Sequence, residues 1–205
     1  MKKPLLLLLV AVLALGCAAC VKMGGKPLDK HYYRLAPVRA QSLPAPQDGI
    51  VLNVRRLAVS DLYNTREIIY QLADGRMESD FYNLYFITPG SMLTSELRDW
   101  LAASGRFSHI ITPGSMVVPD LILEGAVNTL YGDFSSTPPA AVMSMQFFLV
   151  DESTPDNTIL FSKNYTQRIP LSQPTAQELV QALTEGTRTI FTQLESDLAQ
   201  APLKR

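Results

Sequence analysis

Residues 66–101 read REIIYQLADGRMESDFYNLYFITPGSMLTSELRDWL, and this stretch encodes two strands and a helix in direct succession. Its Asp74-Gly75 pair is a strong hairpin turn between two arms that are rich in β-branched and aromatic residues. We therefore expect strands over residues 66–72 and 76–86. Because a helix follows the hairpin at once, the stretch indicates a protein that mixes strands and helices.

Two helices are predicted, and each has a recognisable start. Thr88-Pro89 places a capping residue and a first-turn proline before the first helix, and Gly105 ends that helix. Thr175 and Glu178 form a capping box that begins the second helix. Each helix has one apolar face that is expected to pack on a sheet. These faces comprise Met92, Leu93, Leu97, Trp100 and Leu101 in the first helix and Leu179, Leu183, Thr187, Ile190, Leu194 and Leu198 in the second.

The remaining segments predict further strands of the same domain. Apolar and β-branched residues indicate strands at about 31–38, 50–59, 107–111, 117–131, 140–150 and 159–169. The chain is long enough for one domain with a sizeable core, which we place at residues 31–200. The predicted fold class is α/β, a single domain with a mixed sheet and at least two helices.

The amino terminus, MKKPLLLLLVAVLALGCAAC, has the layout of a secretory signal peptide. Lys2 and Lys3 precede an unbroken apolar run over residues 5–15. A helix of that length would span roughly 16 Å, whereas the hydrocarbon core of a bilayer is about 30 Å thick. The run is therefore too short to span a membrane comfortably, and we assign residues 1–16 to a signal peptide.

Both cysteines of the chain, Cys17 and Cys20, follow this run directly. Ala14-Leu15-Gly16-Cys17 resembles the lipobox of bacterial lipoproteins, in which the thiol is diacylated and becomes the first residue of the mature chain. Cys20 is the competing anchor, but the residues before it lack the large apolar side chain of a lipobox. A redox site, a metal site or a disulfide is the other reading, although such pairs lie within folds and a metal needs further ligands. We interpret Cys17 as the lipid anchor.

Residues 17–30 are expected to be a tether between the anchor and the domain. They contain Gly24, Gly25 and Pro27, and a coil of this length would hold the domain ~20 Å from the anchor. The residue after Cys17 is alanine and not aspartate. By resemblance to enterobacterial sorting, this favours the periplasmic side of the outer membrane.

The composition limits the classes of protein to which the chain can belong. Of 205 residues, 47% are hydrophobic and 18% are charged, which is typical of a globular chain, and the formal net charge is -1. No basic stripe is available to bind nucleic acid. The sequence contains neither a metal-ligand set nor a nucleotide-binding loop, so no cofactor is predicted.

Few residues are candidates for catalysis. His31 and His109 are the two histidines, and no GxSxG nucleophile motif accompanies them. Asp120 and Glu124 would share one face of a strand and could pair as acid and base. We favour a turn residue and a solvated surface residue at these positions. The sequence therefore predicts a protein that is not an enzyme.

The order of motifs resembles the ABC-type transport auxiliary lipoproteins. A lipobox precedes HYYRL at 31–35, the stretch at 50–101, PDLILEGAV at 119–127 and a terminal amphipathic helix. The resemblance implies a three-layer α/β sandwich with a mixed sheet, similar to the amino-terminal domain of TolB. It also implies a non-catalytic auxiliary component of an MCE-type ABC lipid transport system, which meets the MCE protein at the outer membrane.

A surface that docks such a partner should be enriched in aromatic residues and arginine. The candidates for partner binding lie on and beside the hairpin and are Tyr63, Arg66, Tyr82 and Tyr85. The alternative function is an outer-membrane lipoprotein that activates a periplasmic cell-wall synthase, since such a protein would share the anchor, tether and domain. A second copy of the chain is a further candidate partner.

Overall fold

The computed structural model describes residues 29–112, 114–151 and 157–202. Within these residues lie nine strands and two helices. The strands are β1 (His31–Tyr33), β2 (Val51–Val54), β3 (Ala58–Val59), β4 (Glu67–Gln71), β5 (Met77–Tyr85), β6 (His109–Ile111), β7 (Leu121–Asp133), β8 (Ala140–Asp151) and β9 (Thr158–Pro170), and the helices are α1 (Pro89–Ala102) and α2 (Ala176–Gln200). The predicted signal peptide and the Cys17 anchor lie outside the described residues.

The long strand β7 organises the sheet. One of its edges pairs with antiparallel β8 over almost its whole length, and β9 extends the sheet beyond β8. The other edge of β7 pairs in succession with β2, β3 and β4, all parallel to it. β6 adds to β2, while β5 adds to β4 and β1 adds to β5. The predicted mixed sheet is confirmed.

Both helices cover the same face of this sheet. On α2, Gly186 approaches Met143 of β8, and on α1 the Thr94 hydroxyl accepts a hydrogen bond of 2.9 Å from the Leu57 amide. Leu57 in turn lies beside the β8 residue Phe147, which shares the face of Met143. The mixed α/β class and the two helices are confirmed. The described residues form one sheet layer and one helical layer, which is one layer fewer than the family resemblance implied.

The core lies between the sheet and the helices. The predicted apolar face of α2 is buried, and Leu183, Ile190 and Leu194 are each 0% exposed. Trp100 of α1 contacts Phe191 of α2 with ring centres 5.9 Å apart, so the helices also pack on each other. Within the described residues, neither helix combines the length and apolar character needed to cross a membrane.

The local signals produce the predicted hairpin turn and the predicted cap of α2, whereas Thr88 precedes α1 without a side-chain capping hydrogen bond. Gly75 has φ of 84°, which a glycine adopts without strain, and Asp74 Oδ1 accepts a hydrogen bond from the Arg76 amide. The Thr175 hydroxyl caps α2 by accepting from the Glu178 amide. The capping box is not completed by Glu178. Its carboxylate instead accepts hydrogen bonds from the backbone amides of residues 172 and 173.

Of the predicted strands that are shorter in the structure, two end or break where contacts with the helices divert the chain. The first strand ends at Tyr33, since the next residues turn towards α1, where the Leu35 amide donates to Met92 Sδ at 3.3 Å. The strand expected at 50–59 is interrupted between β2 and β3, where Leu57 enters the core. These interruptions depend on partners that are distant in sequence.

Candidate functional site

The residues considered for catalysis lie apart from one another, and they do not combine into one site. His31 and His109 are exposed and begin β1 and β6, at different positions in the sheet. Asp120 accepts a hydrogen bond of 2.7 Å from the Val51 amide, whereas Glu124 forms an ion pair with Arg55. The two carboxylates therefore bind different partners and do not form an acid–base pair. Within the described residues, no group of three potential ligands is placed to hold a metal.

Two of the four docking candidates are buried, so their side chains are not presented on the surface of this structure. Tyr63 is 7% exposed and stacks on Tyr131, with ring centres 5.9 Å apart and planes within 10°. Tyr85 is 2% exposed, and burial raises the pKa of its phenol. Its hydroxyl has no hydrogen-bond partner among the described residues. Both rings belong to the core and leave no surface for a docking protein.

The other two candidates are exposed, and each lies beside another exposed aromatic ring. Arg66 Nε donates a hydrogen bond of 3.1 Å to the Tyr85 carbonyl, and the guanidinium lies 5.5 Å from the ring centre of Tyr32. Tyr82 is half exposed and meets the ring of Phe81 edge to face at 5.4 Å. Arg66 and Tyr82 thus belong to one surface near the start of the described chain.

We call this surface the aromatic edge and define it by Tyr32, Phe81, Tyr82 and Phe86, all of which are exposed. Tyr32 and Phe86 pack edge to face with ring centres 6.3 Å apart, and the Lys30 ammonium lies 3.9 Å from the ring centre of Phe81. These contacts join β1 and the residue before it to β5 and the residue after it. The site therefore consists of paired rings with a cation beside each pair.

A bulge in β5 explains which rings are exposed. Glu67 of β4 pairs with Leu84, while the next residue, Ile68, pairs with Asp80, so residues 81–83 have no counterpart in β4. Sequence reasoning missed Tyr32, Phe81 and Phe86 as surface residues. Their signal was present, since residues 81–86 contain four aromatic residues, but strand alternation cannot locate a bulge.

The Asp80 carboxylate holds the bulge in place. Its Oδ1 accepts hydrogen bonds from the amides of Tyr82 and Asn83 at 2.8 and 3.0 Å, and its Oδ2 accepts one from the Tyr70 hydroxyl at 2.8 Å. Burial alone would raise the pKa of Asp80, but the hydrogen bonds outweigh burial and lower the pKa. The exposed rings consequently project from a supported backbone.

A second surface feature is a cleft of about 420 Å³ between the two helices and residues 39–43. Arg39 Nη2 donates to Glu195 Oε1 at 2.8 Å, and Trp100 Nε1 donates to Glu195 Oε2 at 2.9 Å. These polar groups satisfy one another. Arg106 also lines the cleft, and its buried Nε has no hydrogen-bond partner among the described residues.

Exposed aliphatic side chains form a further patch in the connection between β6 and β7. Met116 is 96% exposed, and Val117 and Val118 are also exposed. Asp120 pairs with β2 directly after this patch, through its side chain and its amide. The patch therefore lies at the end of the sheet where β7 begins.

Comparisons with known proteins identify the fold and the family. The model of the family described as ABC-type transport auxiliary lipoprotein component matches residues 33–195. No protein of curated function is similar enough in sequence to be matched.

Solved structures with the same fold are distant in sequence. A Xanthomonas campestris protein of the DUF330 family model is 19% identical, with a TM-score of 0.67 over 80% of this chain and 92% of that one. An uncharacterized protein is 17% identical, with a TM-score of 0.66 over 83% of this chain and 99% of that one. A hypothetical protein of Chlamydia trachomatis is 8% identical, with a TM-score of 0.51 over 72% of this chain and 96% of that one. The family match spans most of the sheet and both helices, and the chain belongs to the ABC-type transport auxiliary lipoprotein component family.

Proposed function

We propose that the protein is a non-catalytic auxiliary component of an MCE-type ABC lipid transport system, anchored to the periplasmic side of the outer membrane, and that it docks the MCE protein there. The observation that carries the proposal is the family match over residues 33–195, directly downstream of a lipobox-like sequence. The separated histidines and carboxylates support a role in binding rather than in catalysis.

The anchor in this proposal is Cys17, and Ala18 after it favours the outer membrane. Two or three acyl chains on one residue would give firm attachment, since a single chain binds a membrane only marginally. We expect Cys17→Ser to accumulate as an unprocessed precursor without lipid, and Cys20→Ser to mature normally. Metabolic labelling with a fatty acid checks both variants. Label in Cys17→Ser would move the anchor to Cys20.

The proposed docking residues are Arg66 and Tyr82, which are the exposed members of the candidate set. Both side chains stand beside other rings, and buried aromatic and arginine contacts are the commonest binding hot spots. We expect Tyr82→Ala to weaken binding of the MCE protein roughly tenfold or more, because hot-spot truncations cost about 2 kcal/mol.

Site-specific photocrosslinking in cells tests this surface. A crosslinking amino acid replaces Arg66, Tyr82 or a residue of the loop between β7 and β8 (135–139). Exposed Ile159 on β9 is the control position. Adducts with an MCE protein from residues 66 and 82, but not from 159, are expected. Adducts only with a cell-wall synthase would favour the alternative function, and no adduct at residues 66 and 82 would remove the docking surface.

A further inference from the structure

We propose that the Tyr32–Phe86 pair of the aromatic edge rests on the lipid surface of the leaflet that carries the anchor, and so orients the domain on the membrane. This inference rests on the proposed lipid anchor. It assigns the pair and the neighbouring Arg66 to the lipid side and leaves Tyr82, which contacts Phe81, to the protein partner.

The first argument is where the described chain begins. Asp29 is the first described residue, and the next residue, Lys30, already contacts the aromatic edge at Phe81. Eleven residues lie between Cys17 and Asp29, and they reach at most about 40 Å when extended and ~20 Å as a coil. An anchored chain therefore keeps this edge within a short distance of the lipid.

The second argument is the direction of the strands. β1 runs parallel to β5, β5 runs antiparallel to β4, and β4 runs parallel to β7 beside Gly132. The chain consequently enters β1 from the side on which β7 ends. The aliphatic patch at Met116 lies where β7 begins, so it faces away from the point at which the tether arrives.

The third argument is the chemistry of the pair. Tyr32 is 52% exposed and Phe86 is 67% exposed, so both rings present a large apolar area to the surroundings. Aromatic rings accompanied by lysine or arginine are enriched at the level of lipid headgroups, where the rings are partly buried and the cations meet phosphate. Arg66 over Tyr32 and Lys30 over Phe81 give the edge this arrangement.

The pair would supply orientation, because the acyl chains already supply attachment. An anchor and tether alone would favour no particular face of the domain towards the membrane. Two rings at one edge favour a single approach, since their burial in the interface removes apolar surface from water.

The test uses the full-length lipoprotein reconstituted in vesicles of phosphatidylethanolamine and phosphatidylglycerol, with no other protein present. A photocrosslinking amino acid replaces Tyr32, Phe86 or, as the matched control, exposed Met116. Mass spectrometry scores lipid adducts on vesicle-bound protein. We expect several-fold more lipid adduct from residues 32 and 86 than from residue 116.

A second measurement tests whether the two rings themselves cause the lipid contact, or whether closeness to the tether is sufficient. With the crosslinker at Phe81, the double variant Tyr32→Ser/Phe86→Ser should lose most of the lipid adduct. The control variant Ile159→Ser, which alters an equally exposed residue on β9, should keep it. Circular dichroism verifies that each variant is folded.

Three results would overturn the inference: equal lipid yields at residues 32, 86 and 116, adducts only with another copy of the chain, or an unchanged yield in the double variant. The mass of the amino-terminal peptide reports acylation independently. Absence of the acyl group refutes the proposed anchor, while the adduct ratio still decides the membrane contact.

Discussion

At the scale of single residues, Asp133 shows how a charged side chain is made stable inside the fold. It ends β7 and is buried, and it accepts hydrogen bonds from the Ser135 amide at 3.0 Å and from Arg168 Nη2 at 2.7 Å. Burial by itself would raise the pKa of Asp133, but the bonds from Ser135 and Arg168 outweigh burial and lower the pKa to about 2. The carboxylate thus fastens the loop after β7 to β9.

The first prediction follows from this low pKa. Because the folded pKa lies below the unfolded one, Asp133 contributes stability above about pH 4 and loses it as the pH falls towards 2, for a total of up to about 2 kcal/mol. We expect Asp133→Asn to have a lower free energy of unfolding than the parent at neutral pH, with the difference vanishing at low pH. Guanidinium unfolding across this range measures it.

The control for Asp133 is Asp74→Asn, since Asp74 is an exposed hairpin residue paired with exposed Arg76. An exposed pair of this kind contributes little. A difference between Asp133→Asn and the parent that stays constant from neutral to acidic pH would contradict the predicted linkage.

At the scale of elements, α2 holds the helical layer on the sheet. Its buried face repeats at helical spacing, and Gly186 allows close approach to Met143. A Cβ at residue 186 would lie 2.5 Å from Met143 Sδ, so a larger residue there would require the Met143 side chain to move. The helix is therefore a part of the core and not a peripheral addition.

The second prediction concerns Ile190 of this helix, which is fully buried. Ile190→Asp would place an unpaired charge among apolar side chains and should lower the free energy of unfolding by several kcal/mol. Gln193→Asp, on the exposed side of the same helix, should change it by less than about 1 kcal/mol. Thermal unfolding compares the variants. An Ile190→Asp protein that melts like its parent would show that the helix is not required.

At the scale of the whole molecule, one core joins the sheet and both helices. Trp100 is the only tryptophan of the chain, and it reports on this junction because it contacts Phe191. A single buried cluster contains residues from nearly every element, so the layers have no separate cores. The molecule should therefore unfold as a unit.

The third prediction tests whether the sheet and the helices unfold together. Tryptophan fluorescence follows the contact between the helices, whereas far-ultraviolet circular dichroism follows the secondary structure as a whole. We expect the two signals to give coincident denaturant transitions. A fluorescence change that precedes the loss of secondary structure would show that the helices leave the sheet before it unfolds.

The sequence by itself determined the types and the order of the elements. The Asp74-Gly75 turn, the Thr175 cap and the apolar spacing of Leu183, Ile190 and Leu194 are local signals, and local signals act within a few residues whatever the rest of the chain does. The family resemblance rested on the same order of motifs and agrees with the family match.

The tertiary structure alone decided which side chains form the surface. Tyr63 and Tyr85 are buried while Phe86 and Tyr32 are exposed, because a bulge opposite β4 and the pairing of β1 with β5 set the facing of each ring. Pairing partners and bulges depend on segments far apart in the chain. The alternation of residues along a strand does not reveal pairing partners or bulges. The aromatic edge and the single helical layer could therefore be identified only in the folded molecule.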